Sequence, residues 1–492
     1  MGFAIGVDVG SQSVKGVLLD GAGEVRAQAG SPVSIVHPAP AWAEQDPRSW
    51  EAALADVVGA LLRDAGLAPG DVSVLGLACQ VDSVVPVDAG GDPLGPGIIW
   101  LDRRAEAQTA RLRDGVGAER LHRITGLVAD PSHTGPKIAW LRDERPEVFA
   151  AAAAFPPAAG YLVQRLTGRL VVDHANASSS LLYDIDRRCW SEELLEAAGL
   201  SAAQLGEVAE AADVAGPLIV DAAGRLGLTT ACLVLVGTGD DHAGAIGAGV
   251  IAPGLIGDMT GTAEPVTTCS PLAVRDARQV VETHAHAVAG QYLVENPGFV
   301  SGGSIMWLAR EVLGLTQGEV LALAETAAPG ADGVLFLPAL SGSMAPRWNG
   351  AMRGAFAGLS MASSRASLAR AVVEGCCFAL RDVTDRFAEL GLDTSEIRVV
   401  GGGARSPGWL QAKADVTGRP VRAVRVVEAT ALGAALLAAV GSGTFAHLEE
   451  AVKGCVVTAD EPIRPREETA GVYADAYGRY RALFDGVEGA LA

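Results

Sequence analysis

Aromatic side chains are scarce in this chain, at 5% of residues, although hydrophobic residues reach 49%. The core must therefore be built from Ala, Val and Leu, with 61 glycines permitting close packing, and a disordered chain is excluded. Paired cysteines are missing too. The seven (79, 189, 232, 269, 376, 377, 455) are scattered without CxxC spacing, so neither a zinc site nor a disulfide framework is expected, and a reduced cytoplasm fits. Positive charge is short, with 38 Lys+Arg against 58 Asp+Glu and a net charge of −20, which repels polyanions and speaks against nucleic-acid partners. No apolar run reaches about 18 residues without glycine punctuation, so no membrane-spanning helix is expected. The start, MGFAIGVDVG, enters an apolar strand at once, which leaves no room for a leader, and Gly6 stands where a myristoylation signal needs Ser or Thr.

The 492 residues exceed one ordinary core, so two domains of about 250 residues are expected. Strand and helix patterns alternate, which indicates an α/β class. IGVDVGSQSVKGVLLD, residues 5–20, reads as a β-hairpin, and PAPAWAEQDPRSW hands over at Asp46-Pro47 to a capped helix. DVSVLGLACQVDSVVPVD reads as two strands around residues 79–82, and IIWLD as another strand. VFAAAAAFPPAAGYLVQRLTG reads as a helix to Phe155, a break at Pro156-Pro157 and a second helix to Gly168. LVLVGTG is a strand at 233–239, and the tail reads as one closing amphipathic helix. VIAPG, residues 250–254, is the expected boundary between domains 1–250 and 251–492, two similar halves facing a cleft.

An apolar strand that places Asp8 before Gly10 raises a chemical question. Gly10 lets the backbone approach a ligand, and Ser11 and Ser13 offer hydroxyls and N–H groups suited to phosphate, although a solvated Asp at a strand end remains open. VGTGDDHAGAIGAG, residues 236–249, delivers two adjacent carboxylates, Asp240 and Asp241, to a helix start, one suited to a general base and the other to a hydroxyl or metal. A helix cap at Asp240 is the alternative. A dinucleotide fingerprint is disfavoured, because His242 stands where Gly or Ala is needed. GDMTGTAEPVTT bends at Gly261-Thr262 in the same design as Gly10-Ser11, and VVGGGARSPGW ends a strand in glycines before a helix, where a phosphate, purine or ribose can lie. His284 and His286 share a strand without a third ligand, and Cys376-Cys377 read as packing residues. Trp140, Trp307 and Trp409 read as core anchors, whereas Trp100 is open between core and pocket.

SHTGPKIAWLRDE (132–144), WAEQDP (42–47), YLVQRLTG (161–168), SGGSIMWL (301–308), LFLPALSG (335–342) and GGGARSPGWLQAKADVTGRPV together resemble the FGGY family of carbohydrate kinases, within the actin-like ATPase superfold. A second signature departs from the family at Ser367, where His or another polar amide or acid is usual. The resemblance implies two actin-like, ribonuclease H-like domains facing a central cleft, and ATP and Mg²⁺ as cofactors. It implies a first phosphate loop of Gly10, Ser11, Ser13 and Lys15, with Asp8 on the metal side. Gly261, Thr262 and Gly302 would form the second loop, Gly402, Gly403 and Ala404 would border adenosine, and Asp240 would be the catalytic base. The acceptor would meet Gln80, Val81, Asp82, Trp100, Asp240 and Asp241. Xylulokinase-like members carry Met-His at Val81-Asp82, and glycerol kinases Arg-Glu there and Tyr at Ser132; SGSMAP (341–346) lacks a Glu-Arg common in the former. The implied acceptor is a small sugar, a ketopentose first and a polyol such as erythritol, a pentitol or glycerol second, with a catalytically silent sugar-binding relative as the non-enzyme alternative. No membrane partner is implied, and a homodimer is allowed.

Overall fold

Near-continuous buried runs form the central strands of two sheets in the computed structural model, which describes residues 2–425 and 428–491. In the first, Phe3–Val9 pairs antiparallel with Ser13–Leu19, which pairs with Val25–Pro32, while on its other edge Phe3–Val9 runs parallel to Val72–Cys79. Val72–Cys79 then runs parallel to Leu233–Leu235, which pairs with Val214–Pro217 at the sheet's edge. The second sheet repeats this plan. Gly254–Thr260 forms a hairpin with Ala263–Ser270, which pairs with Tyr292–Val300, and on the other side it runs parallel to Thr394–Gly401, followed by Val421–Ala423. The expectation of two similar halves is thus met in strand order and direction, although the two segments share little sequence.

The two sheets meet through helices of small residues. Asp240–Gly247 packs against Ala429–Gly441 so closely that a Cβ on Gly433 would lie 1.9 Å from the Ala243 carbonyl oxygen, and one on Gly247 1.9 Å from that of Ala429. The helix Ala429–Gly441 also lies on the first sheet, where a Cβ on Gly6 would meet the Ala431 carbonyl at 2.2 Å. A second tie is the edge strand Glu282–Ala285, which pairs with Tyr292–Val300 and turns its free edge to the first half. Thr283 N–H donates to the Gly126 carbonyl at 3.1 Å, Val128 N–H to Glu282 Oε1 at 2.7 Å, and Ala285 N–H to Ser178 Oγ at 3.0 Å.

Several local expectations hold. Asp46 caps Pro47–Ala65, Gly66 ends it at φ 66°, and Ala470–Leu491 closes the chain with Tyr473, Ala476, Tyr480 and Phe484 buried. Others need correction. The helix expected to reach Phe155 ends at Ala151, because Ala153 and Ala154 donate to the Val87 carbonyl and Phe155 to that of Gln204, so tertiary pairing overrides alanine's helix preference. IIWLD contributes a strand only at Gly97–Ile98, and Trp100 stands on the following turn, 41% exposed, so it is not a core residue. The second strand expected around residues 83–88 is reduced to single bridges at Val84 and Val87. LVLVGTG is broken at Gly237, φ 73°, into Leu233–Leu235 and Thr238–Gly239. Trp140 and Trp409 are buried, as are Cys376 and Cys377, while Trp307 is half-buried. Among the described residues no helix is long and apolar enough to cross a membrane.

Adding a methyl group at Gly433 sets the small-residue seam against helix propensity. Gly433→Ala gains up to about 1 kcal/mol of propensity, yet the backbone contact makes it a net loss of roughly 2 kcal/mol. Urea unfolding would show this as a lower midpoint at unchanged slope, whereas a raised midpoint would contradict the packing described.

Candidate active site

Asp8 is the penultimate residue of the first strand, opposite Lys15 in the hairpin ladder. Its Oδ1 is buried without a hydrogen-bond partner. Burial first, then the charge of Asp240, pushes its carboxyl up to about 8. The loop beyond is closed by Gly10 N–H donating to the Ser13 carbonyl at 3.1 Å. Its position is set by a buried amide pair: Gln45 Nε2 donates to the Ser11 carbonyl at 2.8 Å, and Gln45 Oε1 accepts from Gln80 Nε2 at 2.7 Å and Trp50 Nε1 at 3.2 Å. One fully buried side chain thereby joins the first loop to Gln80. Lys15 reaches Glu428 Oε2 at 2.9 Å, a link from the first hairpin to the residue before Ala429–Gly441.

Asp240 arrives from the other direction. Thr238–Gly239 runs parallel to Val72–Cys79, which sets Gly239 beside Cys79 and Asp240 beside the loop after it. Gly239, not Asp240, holds the cap position of the helix, so Asp240 and Asp241 are its first two residues. Val81 N–H donates to Asp240 Oδ1 at 3.3 Å. Burial raises the Asp240 carboxyl to about 7, opposed by N–H groups of Val81 and the helix start. Asp241 is pushed well above the carboxylate range by burial and by Glu295, with Asp240, Asp82 and Asp8 adding to it.

Asp82 adopts φ 56° and is held from several sides. Its carboxylate accepts from Ser179 Oγ and lies 3.2 Å from His133 Nδ1. Lys137, with no exposed surface, donates to the carbonyls of Asp82, Ile99 and Ser132, the Ile99 bond at 2.9 Å, and so ties the turn before Trp100 to Asp82. His133 Nε2 donates to the Val128 carbonyl at 3.1 Å and faces Glu282 Oε1 at 3.7 Å; His284 Nε2 faces Glu295 Oε1 at 3.2 Å. Burial opposes the charged form of His133, but Asp82 and Glu282 outweigh it and hold its pKa well above the usual value. His242 and His286 meet at 3.0 Å between Nδ1 atoms, and burial lowers both, His286 to about 3. No group of His, Cys, Asp and Glu among the described residues has the arrangement of a metal centre.

On the second half, Gly261 and Thr262 form the tip between Gly254–Thr260 and Ala263–Ser270. Gly302 opens the helix Gly302–Trp307 and donates to the Gly261 carbonyl at 3.1 Å, where a Cβ would clash at 2.4 Å. Gly403 packs on Thr260, and Gly402 and Ala404 lie in the exposed-to-intermediate turn beside it. The structure therefore gathers Gln80, Val81, Asp82, Asp240 and Asp241 around Asp8, and separately Gly261, Thr262, Gly302 and the 402–404 turn. Sequence reasoning passed over Gln45, His133, Ser179, Glu282 and Glu295, and weighed His284 only as a metal ligand. Gln45 and His133 lie inside quoted motifs, Ser179 shows only in its contact with Asp82, and the two glutamates only once the halves meet. Ser367 serves the local structure, completing a capping box with Ser364 and donating to Asp332 Oδ2 at 2.7 Å.

The stability carried by His133 has a defined sign. Its folded pKa is raised, so its contribution is fully present below the unfolded value of about 6.5 and is lost as pH rises through the folded value. The difference in unfolding free energy between the wild type and His133→Gln is expected to be largest near pH 6 and to shrink at higher pH. A difference that grows with pH would contradict the charged His133–Asp82 contact.

Two family models match the chain: the N-terminal domain of the FGGY family of carbohydrate kinases over residues 3–247, and the C-terminal domain of that family over 259–442. A xylulose kinase of Lactococcus lactis is 30% identical over 98% of this chain and 97% of its own length. A glycerol kinase of Methylibium petroleiphilum is 34% identical over 96% of this chain and 97% of its own. The crystal structure of xylulose kinase from Rhodospirillum rubrum superposes with a TM-score of 0.91 at 29% identity, covering 99% of both chains. The paired sheets are accordingly two actin-like domains facing a central cleft, and the chain belongs to the FGGY family of carbohydrate kinases.

Proposed function

We propose that this carbohydrate kinase transfers the γ-phosphoryl group of ATP to a hydroxyl of a ketopentose of the xylulose type. Kinases of this family use ATP. The observation that carries the reading is the placement of the Asp240 carboxyl, half-buried at a helix start and steered by the Val81 N–H, where it is also raised to about 7, which suits a general base near neutral pH. Asp240 takes the proton from the acceptor hydroxyl as its oxygen attacks phosphorus. Asp82, Asp241, Gln80 and the Val81 backbone orient the acceptor, with Trp100 on the exposed turn beside them. Loop N–H groups at Gly10–Ser13 and Gly261–Thr262, with Lys15 and Gly302, stabilise charge on the transferred group. Gly402, Gly403 and Ala404 border the adenosine. The orphaned Asp8 Oδ1 fits a hard oxygen-seeking cation, so Asp8 is the residue that would hold Mg²⁺, which supplies neutralisation of phosphate charge.

In this reading residues 1–250 carry the acceptor side and base, and 251–492 the second phosphate loop and adenosine side. A cytoplasmic setting belongs to the same proposal. A polyol acceptor is the second reading, favoured by Asp82, whose carboxylate accepts hydrogen bonds from hydroxyls.

ADP release across ketopentoses, ketohexoses, tetritols, pentitols and glycerol tests both. Turnover is expected on one class, and Asp240→Asn is expected to lower kcat by about 10²–10⁴-fold with the KM for ATP changed only slightly. ATP binding without turnover on any acceptor, or an Asp240→Asn variant as fast as the wild type, would defeat the proposal.

A further inference from the structure

Lys413, on the helix Pro407–Thr417, has no exposed surface, and nothing in the transfer chemistry uses it. Its ammonium donates to Thr260 Oγ1 at 2.7 Å and Glu264 Oε1 at 2.8 Å, and pairs with Asp258 Oδ2 as well. Asp258 and Glu264 are equally withdrawn from water. Thr260 also donates to Asp258 Oδ1 at 2.6 Å, which leaves Glu264 the less tightly held of the two acids. Around Glu264 stand Asp258, Lys413, the Ser301 hydroxyl and the thiol of Cys376. Burying an ion cluster is costly, and apolar residues of similar volume often serve stability as well or better, so stability alone does not account for this one.

Its position does. Asp258 and Thr260 belong to one arm of the hairpin and Glu264 to the other, so a single ammonium grips both arms beneath the Gly261–Thr262 tip. From the side, the tip carbonyls are held by the N–H groups of Ser301, Gly302 and Gly303 at 3.2, 3.1 and 3.0 Å. The helix carrying Lys413 follows directly on the Gly402–Arg405 turn. One side chain therefore fastens the hairpin to the helix that begins just after the glycine turn.

We propose that Lys413 is a positioning residue for the nucleotide: it sets the spacing between the hairpin tip that receives phosphates and the turn that borders adenosine. The inference rests on the assignment of Gly261–Thr262 to the nucleotide phosphates. The acceptor side, built on Asp82, Asp240 and Asp241, lies outside its reach. Loss of Lys413 should therefore act on nucleotide KM and leave acceptor KM alone.

Lys413→Met strands two carboxylates in the interior and risks misfolding. The informative variant is Asp258→Asn/Glu264→Gln/Lys413→Met in the full chain, which removes all three charges together. Thermal unfolding is measured first, then steady-state kinetics with ATP varied at saturating acceptor and the reverse, with Gly261→Val in parallel. The triple variant is expected to unfold close to the wild type, with a KM for ATP raised about tenfold and an acceptor KM within about twofold. A wild-type KM for ATP in a folded triple variant, or equal rises for both substrates, would overturn the inference while Gly261→Val still weakens ATP. A Gly261→Val variant with unchanged ATP kinetics would overturn the phosphate assignment itself.

Discussion

Carboxylates drawn out of water at the meeting of two sheets are the constraint on which the rest of this molecule depends. Asp8, Asp82, Glu295 and the adjacent pair Asp240-Asp241 come from four separate stretches of chain, and each raises the energy of ionising another. Positive charge nearby comes from His133, His284, the buried Lys137 and the more exposed Lys15. Such an arrangement is poor for stability, and a fold keeps it where the acids have work to do on a ligand. The surrounding structure is best understood as the means of holding them there: Gln45 locks the first loop, Lys137 locks the Asp82 backbone, and Val81 N–H steers Asp240.

The same junction connects the two halves mechanically. Backbone hydrogen bonds from the edge strand Glu282–Ala285, the helix seam at Gly247 and Gly433, and the Lys15–Glu428 pair all cross it. The ion pair is part-exposed and contributes little energy. Close helix packing and hydrogen bonding by the edge strand contribute more. In the proposed reading, a nucleotide on the second half and an acceptor on the first would meet across this junction.

Much of this was legible in the chain because it depends on local pattern. The two hairpins, the Asp46 cap, the closing helix and the Asp240-Asp241 helix start each have a short-range signature, and Asp8 stood out as a carboxylate in an apolar strand. What escaped notice depends on contacts across long sequence separations. The run of alanines near 150 looks helical until Val87 and Gln204 take its N–H groups. Glu282 and Glu295 look like ordinary strand residues until the edge strand meets the first half, and Lys413 looks like a surface lysine within an amphipathic helix until its neighbours are known.

The most direct measurement is ³¹P NMR of the purified chain with ATP, Mg²⁺ and a ketopentose or polyol acceptor. The account predicts a new phosphomonoester resonance on the acceptor growing in step with ADP. Free inorganic phosphate as the sole product, or unchanged ATP in the presence of every acceptor, would contradict it.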